Sequence, residues 1–162
     1  MAGPALTGAD AALAPVDRLP TARDDRGMDE HEARAMILEH FEHRGRDELR
    51  ASALYAEDAV LEFPQGGERI RGRENIIALR SAFPVTVTFE NCRTRGSGDL
   101  WVNEYTVHYN GDQPHFVVGL MEFRDGKVAH ERIYVTEPWE PPAWRAQWVE
   151  PMRDEPSAGP PG

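Results

Sequence analysis

The feature that most constrains the fold is a change in hydrophobic period at Pro84. Before this proline, apolar residues recur every three or four positions, as they do on one face of a helix; after it they alternate, as in β-strands. The alternation predicts four strands joined by GSGD, NGDQ and RDG turns, at about residues 85–94, 100–109, 115–123 and 127–135. Helices followed by an antiparallel meander predict an α+β fold.

The first half of the chain carries three helical segments and one early strand. Asp29 is a suitable N-cap for the first helix, and Gly45 is placed to end it. A short second helix begins near Asp47, and a third is predicted at about residues 73–83. Between them, AVLEFP predicts a strand that Pro64 closes.

The globular part is predicted to be a single domain of residues 28–151. Residues 1–27 and 152–162 are rich in Ala, Pro and Gly and have no sustained period, so we predict that both ends are disordered.

Three tryptophans close the predicted domain: Trp139, Trp144 and Trp148. A buried tryptophan removes a large apolar area from water, and we therefore expect these side chains to pack on one end of the sheet. On this interpretation, truncation after Thr136 leaves a chain that is insoluble or molten.

Charge and cysteine content exclude several classes of partner. The 28 acidic residues outnumber the 18 basic ones, which disfavours nucleic acid and anionic membrane surfaces. A lone cysteine cannot form an internal disulfide, and neither a signal peptide nor a run of about 20 apolar residues is visible. These features predict a cytoplasmic location and no membrane partner.

The order of elements, with the segments YAEDAVLEFPQGGERIRGRENI and GLMEFRDGKVAHERIY, resembles the SnoaL-like branch of the nuclear-transport-factor-two-like superfamily. The resemblance covers nearly all of residues 29–149. It implies a cone in which a strongly curved, mixed and mostly antiparallel sheet and three helices enclose a pocket for a small, largely apolar molecule. The same cone serves ketosteroid isomerases, epoxide hydrolases, polyketide cyclases, dehydratases and binding modules, so the resemblance specifies fold more than chemistry.

Two known catalytic patterns of this superfamily are missing. By resemblance, the two aspartates of ketosteroid isomerase correspond to Phe63 and to a position near Gly119. The charged triad of limonene epoxide hydrolase corresponds to Val107, Ile133 and Tyr105. Neither mechanism is therefore expected.

The last hairpin decides which residues of its second strand face the pocket. If Arg124, Asp125 and Gly126 form a three-residue loop, Glu131 lies opposite Gly119 and points inward. If only Asp125 and Gly126 form the turn, the register shifts by one and His130, Arg132 and Tyr134 take that face. The family resemblance favours the first register.

The inward positions supply the candidate site residues. Glu131 is the leading candidate for a general base, and Tyr105 and Asn103 are candidates to polarise a carbonyl oxygen. His40 on the first helix and His115 are further candidate proton carriers. Glu131 has an alternative structural role as the partner of Arg80 or Arg71. The expected ligand-binding residues are Phe63, Trp101, His115, Val117, Met121 and Ile133.

Two functions remain open. The first is a cofactor-independent isomerase, cyclase or dehydratase that moves a proton on a hydrophobic carbonyl or polyketide-like substrate. The second is a non-catalytic module that binds a small hydrophobic ligand. We predict neither a metal nor a cofactor, because the histidines and acids of the first helix lack a recognised metal motif.

A homodimer is also predicted. Several apolar residues fall on the strand face that points away from the pocket, and a monomer would leave this surface exposed to water. These residues are Val102, Thr106, Phe116, Val118, Leu120 and Tyr134.

Overall fold

Six strands form one sheet in the computed structural model, which describes residues 28–152. In chain order the elements are α1 (Glu30–His43), α2 (Glu48–Ala51), a 3-10 turn (Ser52–Leu54), β1 (Tyr55–Phe63), β2 (Glu68–Arg71), α3 (Arg73–Ser81), β3 (Val87–Ser97), β4 (Leu100–Tyr109), β5 (His115–Arg124), β6 (Lys127–Thr136) and a second 3-10 segment (Ala143–Trp148). The strand order is β2-β1-β6-β5-β4-β3, and only the β1–β6 pair is parallel. The predicted α+β fold, with three helices in the first half and a mixed, mostly antiparallel sheet, is confirmed.

Local signals in the sequence explain both ends of α1. The Asp29 side chain accepts a hydrogen bond from the backbone N–H of His31 at 2.9 Å and so caps the helix. After the helix, Gly45 has a φ of 78°, and a Cβ atom there would lie 2.9 Å from the carbonyl oxygen of Val87. Glycine is therefore required for both the turn and the approach of β3.

The core lies between the helices and one face of the sheet, which we call the inner face; the opposite face is the outer face. Alternate residues of β4 and β5 are buried there, as the period of two predicted. α1 contributes Ala33, Ile37 and His40, all at most 2% exposed. The largest completely buried side chains include Trp101, Tyr55, Ile37, Leu61, Ile76 and Met121.

The hairpin between β5 and β6 differs from both predicted registers. Its turn is the two-residue one, because Arg124 pairs with Lys127 and both Asp125 and Gly126 have positive φ. The favoured pairing of Gly119 with Glu131 is therefore wrong. A bulge at Ala129 adds one unpaired residue to β6 and turns the residues after it back to the predicted faces. Glu131 therefore pairs with Met121 and still faces inward.

The predicted packing of the C-terminal tryptophans is also wrong. Trp139, Trp144 and Trp148 are 70%, 73% and 71% exposed. The segment that carries them includes Pro138, Pro141 and Pro142, and Pro142 has φ −63° and ψ 134°, an extended conformation. Because these indoles contribute little to the core, the expectation that truncation after Thr136 destroys the fold no longer holds.

The predicted disorder of residues 1–27 and of 153–162 lies outside the described residues, which begin at Met28 and end at the exposed Met152. Within the described range, each helix is too short or too polar to cross a membrane.

Candidate active site

A buried ion pair lies at the centre of the inner face, where β1, β6 and α3 meet. Tyr55 donates its hydroxyl proton to Oε2 of Glu131. Nη2 of Arg80 donates to the Tyr55 oxygen at 2.8 Å and to the same Glu131 oxygen at 3.3 Å. The Arg80 and Glu131 side chains are only 6% and 3% exposed. We call Tyr55, Arg80 and Glu131 the Glu131 cluster.

The cluster decides between the partners expected for Glu131. Arg80 is the partner, whereas Arg71 lies exposed on β2. The structural role proposed for Glu131 is thus present in the molecule, because one of its oxygens is held by a cation and a phenol.

Two members of the cluster, Tyr55 and Arg80, keep their protons near neutral pH. Burial, together with Glu131, raises the pKa of Tyr55, so its phenol stays protonated and acts as a donor. Burial opposes the charge of Arg80, but the neighbouring oxygens of Tyr55 and Glu131 outweigh it and raise the pKa of Arg80 above its ordinary value.

His40 has a ring nitrogen in this interior that is free to accept a proton. Its Nδ1 lies 2.6 Å from the carbonyl oxygen of Ala51. A carbonyl can only accept, so Nδ1 carries the hydrogen and Nε2 carries the lone pair. Nε2 is buried and has no hydrogen-bond partner among the described residues. The ring packs edge-on against Tyr55, with centroids 5.8 Å apart, which places it beside the Glu131 cluster.

The electrostatic environment keeps His40 neutral. Burial, and then the positive charges of Arg80 and Arg44, lower the pKa of His40 well below its ordinary value. An unprotonated, desolvated imidazole is therefore the resident form at neutral pH.

The lowered pKa of His40 predicts that the fold loses stability in mild acid. The unfolded chain protonates this histidine near pH 6.5, whereas the folded chain resists, so the penalty is absent above that pH and grows as the pH falls towards the folded-state pKa. We expect the free energy of unfolding, measured by urea denaturation between about pH 7.5 and 5.5, to fall more steeply for the native chain than for His40→Gln. Equal slopes for the two proteins would contradict this assignment.

Asn103 and Tyr105 lie where the sequence predicted, on the inner face of β4. Oδ1 of Asn103 accepts from the Thr94 hydroxyl at 2.9 Å, while its Nδ2 is buried and has no partner among the described residues. Both residues border Gly119: a Cβ atom built there would lie 3.4 Å from Oε1 of Glu131, 3.9 Å from Cε1 of Tyr105 and 4.0 Å from Cβ of Asn103. Gly119 is therefore the point around which three of the predicted site residues meet.

Tyr105 is held by aromatic neighbours. Its ring lies 4.9 Å from that of Phe41 and 5.7 Å from that of Phe89. Burial, and then Glu131, raise the pKa of Tyr105, so its hydroxyl remains a donor.

The predicted ligand-binding residues divide into two groups. Trp101, Val117, Met121 and Ile133 are at most 5% exposed and fill the interior. Phe63 and His115 are half-buried instead, and the His115 ring lies 4.9 Å from that of Tyr109.

Two surface cavities lie away from this interior. One, of about 370 Å³, is lined by Glu57 and by residues 72–75 at the start of α3. The other, of about 250 Å³, lies on the outer face beside Glu62 and His130. Neither is lined by His40 or by the Glu131 cluster, and the pocket predicted inside the cone stays a prediction.

Sequence reasoning missed two members of this interior. Tyr55 was not among the candidate residues; it begins β1 and is fully buried. Arg44 follows α1, with its Cζ 5.1 Å from the Phe89 ring and its Nε 3.5 Å from Oε2 of Glu48. Burial, and then the charge of Arg80, lower the pKa of Arg44. No local pattern marks Tyr55, because its partners Glu131 and Arg80 are distant in sequence. The pairing of Arg44 with Glu48 is local, but its contact with Phe89 is not.

Comparison with known families agrees with this architecture. The model of the SnoaL-like domain matches residues 33–131, more than half of the chain. The chain belongs to the SnoaL-like family. The expected resemblance is thereby confirmed.

Several solved structures are similar to this SnoaL-like protein. A nuclear-transport-factor-two-like protein of unknown function from Burkholderia xenovorans LB400 is 43% identical, with a TM-score of 0.71, and the match covers 78% of this chain and 100% of that one. A proposed ketosteroid isomerase from Kribbella flavida is 28% identical, with a TM-score of 0.70 and coverage of 77% and 93%. An epoxide hydrolase of the limonene type from Mycobacterium tuberculosis is 25% identical, with a TM-score of 0.54 and coverage of 65% and 83%.

No curated protein matches this chain closely enough to be called a relative. The SnoaL-like fold is thus established, while the chemistry has to be argued from the residues described above.

Proposed function

We propose that this SnoaL-like protein is a cofactor-independent enzyme that moves a proton on a small, hydrophobic carbonyl compound, with His40 as the base. The observation that carries the proposal is the buried Nε2 of His40, which is unprotonated and has no partner among residues 28–152. A buried polar atom without a partner costs free energy, and a substrate group that supplies the missing hydrogen would remove this cost.

Two buried donors complement this base. Nη1 of Arg80 and Nδ2 of Asn103 both lack partners among the described residues. Donors of this kind stabilise negative charge that develops on a substrate oxygen, and they do so more strongly away from water. Tyr105, which lies beside Asn103 around Gly119, supplies a protonated hydroxyl to the same region.

The proposed reaction needs no oxidant and no further reactant. Nε2 of His40 takes a proton from the carbon next to the carbonyl, and the electrons of the broken C–H bond form a C=C bond while the carbonyl oxygen becomes negative. If the substrate has a β,γ double bond, the anion is a dienolate, and return of the proton from His40 to its γ-carbon gives the conjugated isomer. If a β-hydroxyl is present, the same proton leaves with it as water, which gives a dehydration.

Glu131 takes a different role from the one predicted for it. Its Oε2 is already held by Tyr55 and Arg80, so we assign it as a positioning residue that fixes the Arg80 guanidinium beside the substrate oxygen. The binding residues proposed from the sequence line the apolar part of the substrate.

Hydrogen–deuterium exchange into ketones tests the proposal without knowledge of the substrate. The probes are a cyclic enone, a 1,3-diketone and a 3-ketosteroid in D₂O, with deuterium uptake at the carbon next to the carbonyl followed by NMR. We expect the native protein to accelerate uptake into at least one probe, and His40→Gln to lose about 10²–10⁴-fold of that acceleration.

His31→Gln is the matched control, because His31 lies on the same helix but is exposed. It should exchange at the native rate. The proposal fails if no probe exchanges faster than in buffer, or if His40→Gln is as active as the native protein.

A binding module without catalysis is the second candidate. It is favoured by the occupied interior, where Trp101, Tyr55 and Met121 are at most 1% exposed, and by the two cavities that lie elsewhere. A small molecule that co-purifies, identified by mass spectrometry and bound equally by the native protein and His40→Gln without turnover, would decide for this function.

A further inference from the structure

A second arginine of the interior, Arg44, takes no part in the Glu131 cluster. Its Nε is buried and forms no hydrogen bond within residues 28–152, and its side chain is only 15% exposed. Its Cζ lies 5.1 Å from the centroid of the Phe89 ring. A guanidinium in such a place keeps its charge but loses most of its water, so an anion that reaches it is bound favourably.

The carboxylate that pairs with Arg44 is partly committed elsewhere. Oε2 of Glu48 lies 3.5 Å from Nε of Arg44, and neither atom forms a hydrogen bond in the described part of the chain. The other oxygen, Oε1, accepts from the backbone N–H of Gly45 at 2.7 Å, which ties the carboxylate to the turn after α1. Glu48 therefore balances part of the charge of Arg44 without a hydrogen bond to Nε.

We infer, on the basis of the proposed function, that the hydrophobic carbonyl substrate also carries a carboxylate and that Arg44 binds it. The substrate class is thus an oxo acid. Arg80 and Asn103 donate to the carbonyl oxygen, as proposed above, and Arg44 holds the acid group. The nitrogen atoms of a guanidinium match the two oxygens of a carboxylate in spacing and in plane, which favours this group over a neutral one.

Aromatic side chains connect Arg44 with the base. The Phe89 ring, which Arg44 contacts, lies 6.1 Å from the ring of Phe41 and 5.7 Å from that of Tyr105. Phe41 in turn lies 5.2 Å from the ring of His40. These contacts are continuous from the guanidinium to the imidazole, so a substrate that touches both has to present apolar surface along the way.

A phosphate suits this place less well than a carboxylate. It brings nearly two negative charges at neutral pH. Arg44 is a single cation, and Glu48 already balances part of its charge. A carboxylate adds only one negative charge and is therefore the anion to which we assign the site.

The carboxylate would also act on the base. After burial, the positive charges of Arg80 and then of Arg44 hold the pKa of His40 low. An anion bound to Arg44 offsets one of these charges, so the pKa of His40 rises and its imidazole becomes a stronger base. An acid should therefore react faster than its uncharged analogue as well as bind more tightly.

Paired probes test the carboxylate without knowledge of the natural substrate. Each pair is a 4-oxo acid and its methyl ester, with phenyl, cyclohexyl or butyl as the apolar group, and isothermal titration calorimetry at neutral pH measures binding. We expect the native protein to bind at least one acid more tightly than its ester. Arg44→Met should weaken binding of that acid by about 10–100-fold, the loss typical of a hydrogen bond to a charged group, and leave the ester unaffected.

Two nearby substitutions separate a specific site from a general effect of charge. Arg46→Met removes an exposed arginine of the same turn and should leave the affinity for the acid unchanged. Glu48→Gln keeps an acceptor for the N–H of Gly45 but removes the competing charge, so the affinity for the acid should rise by about two- to fivefold. The double variant R44M/E48Q leaves no buried carboxylate without its cation and should bind the acid as weakly as R44M.

Deuterium exchange into the same probes separates this site from the proposed function. Acid binding that depends on Arg44, without exchange, supports the carboxylate site and rejects His40 as the base. Exchange that is equally fast for acid and ester supports the base and overturns the carboxylate site. The site is also overturned if no acid binds, or if R44M weakens acid and ester to the same extent, since Arg44 would then act only in packing.

Discussion

Replacement of Arg80 with methionine should lower the free energy of unfolding by about 3–5 kcal/mol. Methionine retains the bulk of the side chain but removes the cation, which leaves the carboxylate of Glu131 buried with only the Tyr55 hydroxyl as a partner. A buried charge without a compensating charge is among the most destabilising features that a single substitution can create. Urea denaturation at pH 7 measures the effect, which is a large part of a typical margin of 5–15 kcal/mol.

Arg124→Met is the matched control for this prediction. Arg124 pairs with Asp58 at 2.5 Å, but their side chains are 47% and 70% exposed, so the loss should be below about 1 kcal/mol. The double variant R80M/E131Q removes both charges and should recover part of the stability lost in R80M. If R80M costs no more than R124M, the Glu131 cluster does not contribute as a buried ion pair.

The inward position of Glu131 shows how far periodicity can predict a site. Alternation along β4 and β5 correctly identified the inner face, because one face of each strand must be apolar to pack on the helices. For β6, the prediction placed Glu131 inward on the basis of a three-residue turn, and that turn is wrong. The orientation is right only because the bulge at Ala129 offsets the shorter turn, and a bulge has no reliable marker in a single sequence.

Partners that are distant along the chain could not be assigned from sequence. Glu131 is 51 residues from Arg80 and 76 from Tyr55, and no spacing rule connects them. The sequence suggested Arg80 or Arg71, and only the packing of α3 against β1 selects Arg80. The free lone pair of His40 depends in the same way on a contact, since the carbonyl of Ala51 determines which ring nitrogen carries the hydrogen.

Trp139, Trp144 and Trp148 show a different limit of prediction from sequence. Their size predicts that they are buried, because apolar area of this extent is costly to expose. Size alone does not say against which surface a tryptophan packs, and in the structure these three side chains remain exposed.

Replacement of Gly96 with alanine should destabilise the fold by about 3 kcal/mol, at the upper end of the range for overpacked sites. Gly96 pairs with Trp101 across the hairpin of β3 and β4. A Cβ atom at this position would lie 2.7 Å from Cα and 2.8 Å from Cδ2 of Trp101, and it would also overlap the carbonyl oxygen of Leu100. Two of these three atoms belong to the backbone, so no change of rotamer relieves the clash.

The consequence of Gly96→Ala should reach the core, because Trp101 is 1% exposed and its indole N–H donates to the carbonyl of Gly98 at 3.1 Å. We expect a lower urea midpoint, together with a red shift of tryptophan emission as Trp101 leaves its site. Gly98→Ala is the control: Gly98 has a φ of 53° and open space around its Cβ position, so only the cost of a left-handed alanine, about 1 kcal/mol, should appear. Equal losses at the two positions would mean that the hairpin relaxes around Gly96, and that its close approach to Trp101 is not what requires glycine.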